Sequence, residues 1–144
     1  MIVKFKKLVP EAVTPSYSKI GDAGLDLTAI SVAYTPHFIE YSTGIAIEIP
    51  TGYVGLLFTR SSVTKKSIIL KNSVGVIDSN FRGEIKLRFA PINLDSIFSI
   101  DQFYIKGERV GQLVIVPIPI IELIEAEELS DTNRNEGGFG STGK

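Results

Sequence analysis

The chain is 144 residues long, with a formal net charge of -1, 44% hydrophobic and 22% charged residues, no cysteine and one histidine. That length suits one domain around a single core, and the near-neutral charge argues against a basic nucleic-acid-binding face. Without cysteine there is no disulfide framework, thiolate-bound zinc or iron–sulfur centre, and His37 alone makes no histidine cluster, so any metal should be a hard cation held by oxygens, such as magnesium.

In chain order, the N-terminal MIVKFKKLVPEAV is interrupted at Pro10 before any long apolar run. It fits neither a signal peptide nor a spanning helix, and the reading is a cytoplasmic protein with no membrane partner. DAGLDLTA, Asp22 to Ala29, sets two aspartates about a glycine, a pattern that serves as a turn entering a strand or as a polar site at its start. His37 in YTPHFIE reads as a loop residue beside Pro36. GIAIEIP, Gly44 to Pro50, alternates strictly and predicts a strand with one buried and one wetter face, as does GEIKLRF, Gly83 to Phe89. YVGLLF, Tyr53 to Phe58, is apolar on both sides and belongs deeper, or at a subunit contact.

TRSS, Thr59 to Ser62, follows that strand directly. An arginine with two hydroxyls and their amides suits an oxyanion, because charge-assisted hydrogen bonds are roughly twice as strong as neutral ones. SSVTKK, Ser61 to Lys66, allows one helical turn with a serine as N-cap. NSVGVIDSNFRGEIK, Asn72 to Lys86, is the most informative stretch. The Asn72 amide offers donor and acceptor together, as reading a base edge requires, and Gly75 lets backbone approach a ligand. Asp78 follows the branched Val76 and Ile77, so its carboxylate stands at a strand end, where it either deprotonates a water or caps a hairpin as an Asx-turn.

GERVGQLVI, Gly107 to Ile115, carries Arg109 and Gln112 into an apolar strand, with Gln112 offering a neutral donor near Ser61. In QLVIVPIPI, Gln112 to Ile120, Pro117 and Pro119 lack the amide that a central ladder requires and predict an edge strand or an extended arm. EAEELSD, Glu125 to Asp131, reads as a solvated linker. The chain ends RNEGGFGSTGK, where four glycines argue against helix and strand and leave a frayed end, or a loop closing on something flat and anionic.

Short apolar stretches separated by Gly, Pro, Asn or Asp, with no useful 3.6-residue stripe, predict an all-β sandwich or jelly roll whose chemistry sits on loops at strand ends. In order and spacing, AGLDL, RSS, GVIDSNFRGEIK, RVGQL and RNEGGFGSTG resemble the five motifs of the homotrimeric dUTP diphosphatase (dUTPase) family, from about Asp22 to Gly143. The resemblance implies hydrolysis of dUTP to dUMP and pyrophosphate with Mg2+, on a jelly-roll homotrimer whose sites lie between subunits. It also divides the chain into one jelly-roll domain over residues 1–133 and a Gly-rich lid over residues 134–144 that closes over a neighbouring subunit's site.

Carried over by position, Asp78 would be the general base for the water that attacks the α-phosphorus. Asn72 and the hairpin backbone of Gly75, Val76 and Ile77 would pair with uracil, and Phe81 would stand beneath the deoxyribose and exclude a 2′-hydroxyl. Arg60, Ser61, Ser62 and Gln112 match positions on the α- and β-phosphates, Asp26 would hold waters of the magnesium shell, and Lys86 matches a substrate contact. From the lid, Arg134, Gly140, Ser141 and Thr142 would meet the γ-phosphate and Phe139 would cover the uracil ring.

Three positions depart from the family pattern: Phe81 replaces the more usual tyrosine, Thr59 stands where glycine or proline is common, and Ser67 where glycine is common. The nearest rival is dCTP deaminase, which shares the fold but carries a glutamate five residues after the glycine where this chain has Arg88. A nucleotide-binding regulatory protein without turnover is the rival from another class, disfavoured by the intact Asp78 and tail.

Overall fold

The computed structural model describes residues 1–92 and 102–138, and these are built almost wholly of antiparallel strands. Strands β2 (Leu25–Thr28), β10 (Arg109–Pro117), β6 (Tyr53–Phe58) and β8 (Gly75–Ile77) lie side by side in that order in one sheet. A second sheet runs β3 (Ser31–Tyr34), β4 (Ile39–Ser42), β9 (Lys86–Pro91) and β7 (Ile68–Leu70). The short strand β1 (Lys4–Lys7) pairs with β5 (Ile45–Glu48). Apolar side chains of both four-stranded sheets meet in one buried cluster, Leu27, Leu57 and Leu113 from the first with Tyr41, Leu87 and Phe89 from the second. This is the all-β jelly-roll sandwich that the strand pattern predicts.

Strand β9 shows how alternation becomes packing. Leu87 and Phe89 are buried while Lys86 and Arg88 between them are exposed, so one face enters the core and the other meets solvent. Phe89, Tyr41 and Tyr104 form a ring cluster with centroids 5.5 to 6.1 Å apart, all edge-on. Such pairs add about 0.5–1.5 kcal/mol each beyond their area burial.

Three local expectations need correction. The segment after Gln112 is not an edge: β10 is flanked by β2 through Leu113 and by β6 from Gln112 to Pro117. The prolines obey their chemistry all the same, since Pro117 comes after β2 has ended and Ile118 leaves the sheet with one last bond from its amide to the Gly52 carbonyl. The apolar arm then runs on exposed, with Ile120, Leu123 and Ile124 each more than four-fifths accessible. Strand β5 buries Ile45, Ala46 and Ile47 alike and exposes only Glu48, because β1 lies alongside and the Ala46 methyl is too short to emerge past it. The helical turn over Ser61–Lys65 is a 3-10 turn, and its N-cap position is the extended Arg60, with no side-chain capping bond.

His37 sits in an exposed loop and the linker from Glu125 to Asp131 is exposed throughout, as the sequence predicts. Among the described residues no helix is long and apolar enough to cross a membrane.

The Tyr41 hydroxyl is buried without a hydrogen-bond partner among the described residues. Burial pushes its ionisation far above the ordinary tyrosine range, with a smaller opposing effect from the Tyr104 backbone. An unpartnered buried hydroxyl costs its desolvation without a compensating bond. Tyr41→Phe should therefore keep or raise the melting temperature, with a gain of up to about 1 kcal/mol by denaturant titration; a clear loss would mean that the hydroxyl has a partner.

Candidate active site

Register across the first sheet brings three motifs to one level. Asp26 of β2 pairs with Gln112 of β10, and Gln112 pairs with Phe58, the last residue of β6. Beyond Phe58 the chain delivers Thr59, Arg60 and Ser61 at that same end.

Arg109 joins them through a β-bulge. It pairs with Thr28 while Gly111 pairs with Leu27, so Val110 is the extra residue. Strict alternation would turn Arg109 and Gln112, three apart, to opposite faces. The inserted residue restores them to one face, that of Asp26 and Thr28. The glycine beside the bulge is also required, since a Cβ at Gly111 would stand 2.4 Å from Leu87 and 2.9 Å from the Phe58 carbonyl.

The result is a cleft of about 320 Å3 lined by Asp26, Arg60, Ser61 and Gln112, with Ser18 and Asp22 at its margin. One Asp26 oxygen accepts from Arg60 Nε at 2.8 Å and the other from Arg109 Nη1 at 2.8 Å, with the carboxylate side chain only 11% exposed. With Asp22 counted the charges balance, so an anion here would be met by the terminal nitrogens of Arg60 and the nearby neutral donors rather than by net positive charge. Gln112 Nε2 donates to the Thr59 carbonyl at 3.1 Å, and its amide lies so close over Gly24 that a Cβ there would be 2.5 Å from Oε1. Ser62 is beside the cleft rather than in it, its hydroxyl 3.2 Å from that of Tyr104.

A second cleft, of about 410 Å3, holds Asn72 and Ile77, expected to pair with uracil, Phe81, expected beneath the sugar, and Lys86, expected as a substrate contact, with Glu84 and Arg88. Asn72 enters it from a three-residue turn closed by Val74 N–H on the Asn72 carbonyl, whose central Ser73 has φ 59°, rare for a side-chain-bearing residue. Gly75 and Val76 belong to β8, and Asp78 stands exposed just beyond it, its carboxylate without a partner among the described residues. The turn after Asp78 is pinned: Phe81 N–H donates to the Asp78 carbonyl, and Arg82 Nη1 donates to the carbonyls of Ser79 at 2.7 Å and Phe81 at 2.8 Å. The Phe81 ring rests over Gly83.

Lys86 lines this cleft, but its ammonium already faces Glu40 at 2.8 Å and Glu84 at 3.6 Å, and Arg88 Nε meets the other Glu40 oxygen at 2.8 Å. The Lys86 hydrogen bond holds the Glu40 carboxyl below its usual range against the opposing effect of burial, and Glu40 in turn raises Lys86. Arg88 also covers the Phe38 ring at 4.4 Å.

The two clefts are apart in one chain. Asp78 follows Ile77, which pairs with Gly55, three residues back along β6 from Phe58, and β8 is three strand spacings from β2. That sets Asp26 about 14 Å to the side, whereas Arg60, which follows the neighbouring β6, is offset along the strand by the five residues from Gly55, about 17 Å. Of the residues singled out from sequence, the structure thus gathers Asp26, Arg60, Ser61 and Gln112 in one place and Asn72, Ile77, Phe81 and Lys86 in another. Arg134 lies in an exposed turn, with Nε donating to the Gly137 carbonyl and Asn135 exchanging bonds with Thr132. Phe139, Gly140, Ser141 and Thr142 lie outside the described residues. Arg109 and Glu40 are the participants for which the sequence reading has no role. The R-x-x-Q spacing with a glycine inside is the signal that betrays the first, whereas Glu40 looks like any polar residue of an alternating strand.

Among the described residues no three His, Asp or Glu side chains come together to hold a metal. Asp26, with both oxygens engaged by arginines, suits a cation carried in by an anionic ligand, which it would meet through water.

A family model described as dUTPase matches residues 10–143. The deoxyuridine 5'-triphosphate nucleotidohydrolase of Hydrogenobaculum sp. (strain Y04AAS1) is 46% identical over 142 residues, covering 96% of this chain and 95% of that protein. Among solved structures, the dUTPase of Staphylococcus bacteriophage 80alpha with dUpNHpp superposes with a TM-score of 0.86 at 31% identity, covering 99% of each chain. A dUTPase variant from phage phi11 of S. aureus, described with a structural Mg(II) ion, gives a TM-score of 0.77 at 28% identity over 89% of this chain and 98% of that one.

The Glu40 cluster makes stability beside the second cleft dependent on pH. Because the folded Glu40 value is lowered, its contribution is complete above about pH 5 and is lost as pH falls through that lowered value. Lys86 is raised, so its contribution lasts until pH climbs through the raised value, above about 10.4. Between about pH 5 and pH 3 the wild type should lose up to about 1 kcal/mol more stability than Glu40→Gln. Parallel acid melting curves for the two proteins would detach Glu40 from the acid limb.

Proposed function

The chain belongs to the dUTPase family, and we propose that it hydrolyses dUTP to dUMP and diphosphate by in-line attack of an Asp78-activated water on the α-phosphorus. Hydrolysis would keep uracil out of DNA and supply dUMP for thymidylate synthesis, in the cytoplasm. The observation that carries the mechanism is the division of the site between two clefts. An arginine-bearing cleft suited to phosphates and a hairpin suited to a base lie at opposite ends of the antiparallel β6–β8 pair, so Arg60 and Asp78 of one subunit do not converge on one point. A homotrimer whose sites form between subunits brings the hairpin of one chain to the arginine cleft of another.

In that arrangement Arg60, Ser61 and Gln112 hold the α- and β-phosphates, with Ser62 supporting them from its place beside the cleft. Asn72 and the backbone of Gly75, Val76 and Ile77 pair with uracil. Phe81, fixed over Gly83 by the pinned turn, blocks a 2′-hydroxyl. The exposed Asp78 carboxylate takes a proton from the attacking water, and the free nitrogens of Arg60 stabilise charge as it builds on the phosphoryl oxygens. Asp26 would hold waters of an Mg2+ brought in mainly by the triphosphate, and that ion would supply further charge neutralisation there. Lys86 supports the base-side wall through Glu40 and Glu84.

Residues 1–133 form the domain and 134–144 the lid in this reading. The exposed apolar arm after Pro117 supports assembly, because Ile120, Ile121, Leu123 and Ile124 expose more apolar surface than a lone chain can hold safely. Arg134 and, beyond it, Phe139, Gly140, Ser141 and Thr142 close over the neighbouring subunit's site. Deaminase chemistry is disfavoured, since Arg88 is committed to Glu40 and Phe38 and cannot act as an acid–base carboxylate.

Pyrophosphate release measured side by side from dUTP, dTTP, dCTP and UTP should occur efficiently from dUTP alone, and ammonia release from dCTP would overturn the reading. Asp78→Asn should bind dUTP yet lose about 10²–10⁴ in turnover. Mixed and allowed to exchange subunits with a chain lacking residues 134–144, it should regain activity, because some sites then combine an intact Asp78 with an intact lid. Mixtures as inactive as their parents would refute a site shared in this way.

A further inference from the structure

We infer that Arg109 is a positioning residue, holding Arg60 in its phosphate-binding pose through the shared carboxylate of Asp26. The inference rests on the reading of the arginine cleft as a phosphate site and goes one residue beyond it.

Arg109 is not among the residues lining the cleft. Its Nη1 is engaged twice, at 2.8 Å by Asp26 Oδ2 and at 3.2 Å by Ser18 Oγ, both of them groups of the cleft wall. Arg60 spends Nε on Asp26 Oδ1 and lines the cleft, and its two terminal nitrogens have no partner among the described residues. The carboxylate between them is 11% exposed, against 26% for Arg60 and 46% for Arg109. The three groups therefore form a line running inward from Arg109 to the cleft. A carboxylate gripped on one oxygen only is free to rotate about its terminal bond, and the long arginine it anchors then samples other rotamers. Gripped on both, it fixes the guanidinium plane.

The backbone is arranged to make this line. The bulge at Val110 brings Arg109 to the Asp26 face, and Gly111 lets β10 pass Leu87 and the Phe58 carbonyl in doing so. A strand without the extra residue would present Gln112 to the cleft and send the side chain of residue 109 to the other face. The sequence R-V-G-Q thus encodes two functions: Gln112 touches the phosphate side directly, and Arg109 acts at one remove.

Inorganic pyrophosphate is a suitable probe, because its binding needs no turnover and no base. Calorimetric titration of the assembled full-length protein, without metal and again with Mg2+, would compare wild type, Arg109→Gln, Asp26→Asn and the double variant. Arg109→Gln should weaken binding about tenfold in the wild-type background and less than about twofold when Asp26 is already Asn, since residues acting through a common partner are non-additive. Arg109→Lys, which keeps one charged N–H donor for Asp26, should recover most of the affinity, and its unchanged melting curve would separate the effect from misfolding. In dUTP hydrolysis the Arg109→Gln loss should appear in kcat/KM with the ratio of dUTP to dTTP unchanged. An equal cost of Arg109→Gln in both backgrounds would overturn the inference, making Arg109 a cation that acts on the anion by itself. A wild-type protein that neither binds pyrophosphate nor releases it from dUTP would overturn the phosphate-site reading as well.

Discussion

A nearly buried carboxylate needs partners for its oxygens, and each oxygen of Asp26 has an arginine. That one constraint organises the phosphate side of the molecule. Strand β2 must lie beside β10 to bring Asp26 under Arg109, and β10 beside β6 to bring the chain after Phe58 within reach, so the order of three strands is written into the ion cluster. Arg60 keeps its terminal nitrogens for the cleft, so it offers an oxyanion charged donors although Asp22 offsets the second guanidinium. Asp26 thus does by geometry what a more exposed acid could not do by charge alone: it subtracts one charge from the cleft and in return fixes where the remaining charge points.

The base side is held by different means on the other sheet. Glu40 of β4 lies opposite Arg88 of β9 and diagonal to Lys86, so a cross-strand ion cluster stiffens the outer face against which Phe81 and Asn72 line their cleft. The inner face of the same strands carries Tyr41, Leu87 and Phe89 into the core. Alternation along β9 therefore joins the hydrophobic interior to the recognition surface residue by residue, and a change at Leu87 would be felt at Lys86 through the backbone they share.

Much of this was legible in the sequence, and the exceptions have physical reasons. The arginine and serines at the end of an apolar strand, the Asn72 hairpin and the sandwich itself follow from local chemistry and period. The centrality of β10 does not, because proline reports only on its own amide: Pro117 marks where double pairing has ended, while Gln112 and Leu113, five and four residues earlier, are paired on both sides. Arg109 escaped because period-two reasoning sends it to the opposite face from Gln112, and only a bulge reverses that. Glu40 escaped because an acid in an alternating strand looks solvated until its cross-strand partners are known. Most of the lid falls outside the described residues, so its assignment still rests on the motif that names it.

The separation of the two clefts has a consequence for how such an enzyme is controlled. In the arginine cleft the buried Asp26 is committed to two guanidiniums, and in the hairpin cleft Lys86 and Arg88 are tied to Glu40, which leaves Asp22 and Lys71 as the charged lining groups outside those two clusters. In the proposed reading, activity would arise where the exposed Asp78 of one subunit meets the unspent nitrogens of Arg60 on another. Assembly would then be part of the catalytic mechanism, because it would bring together an acid and a cation that the fold holds at opposite ends of one strand pair.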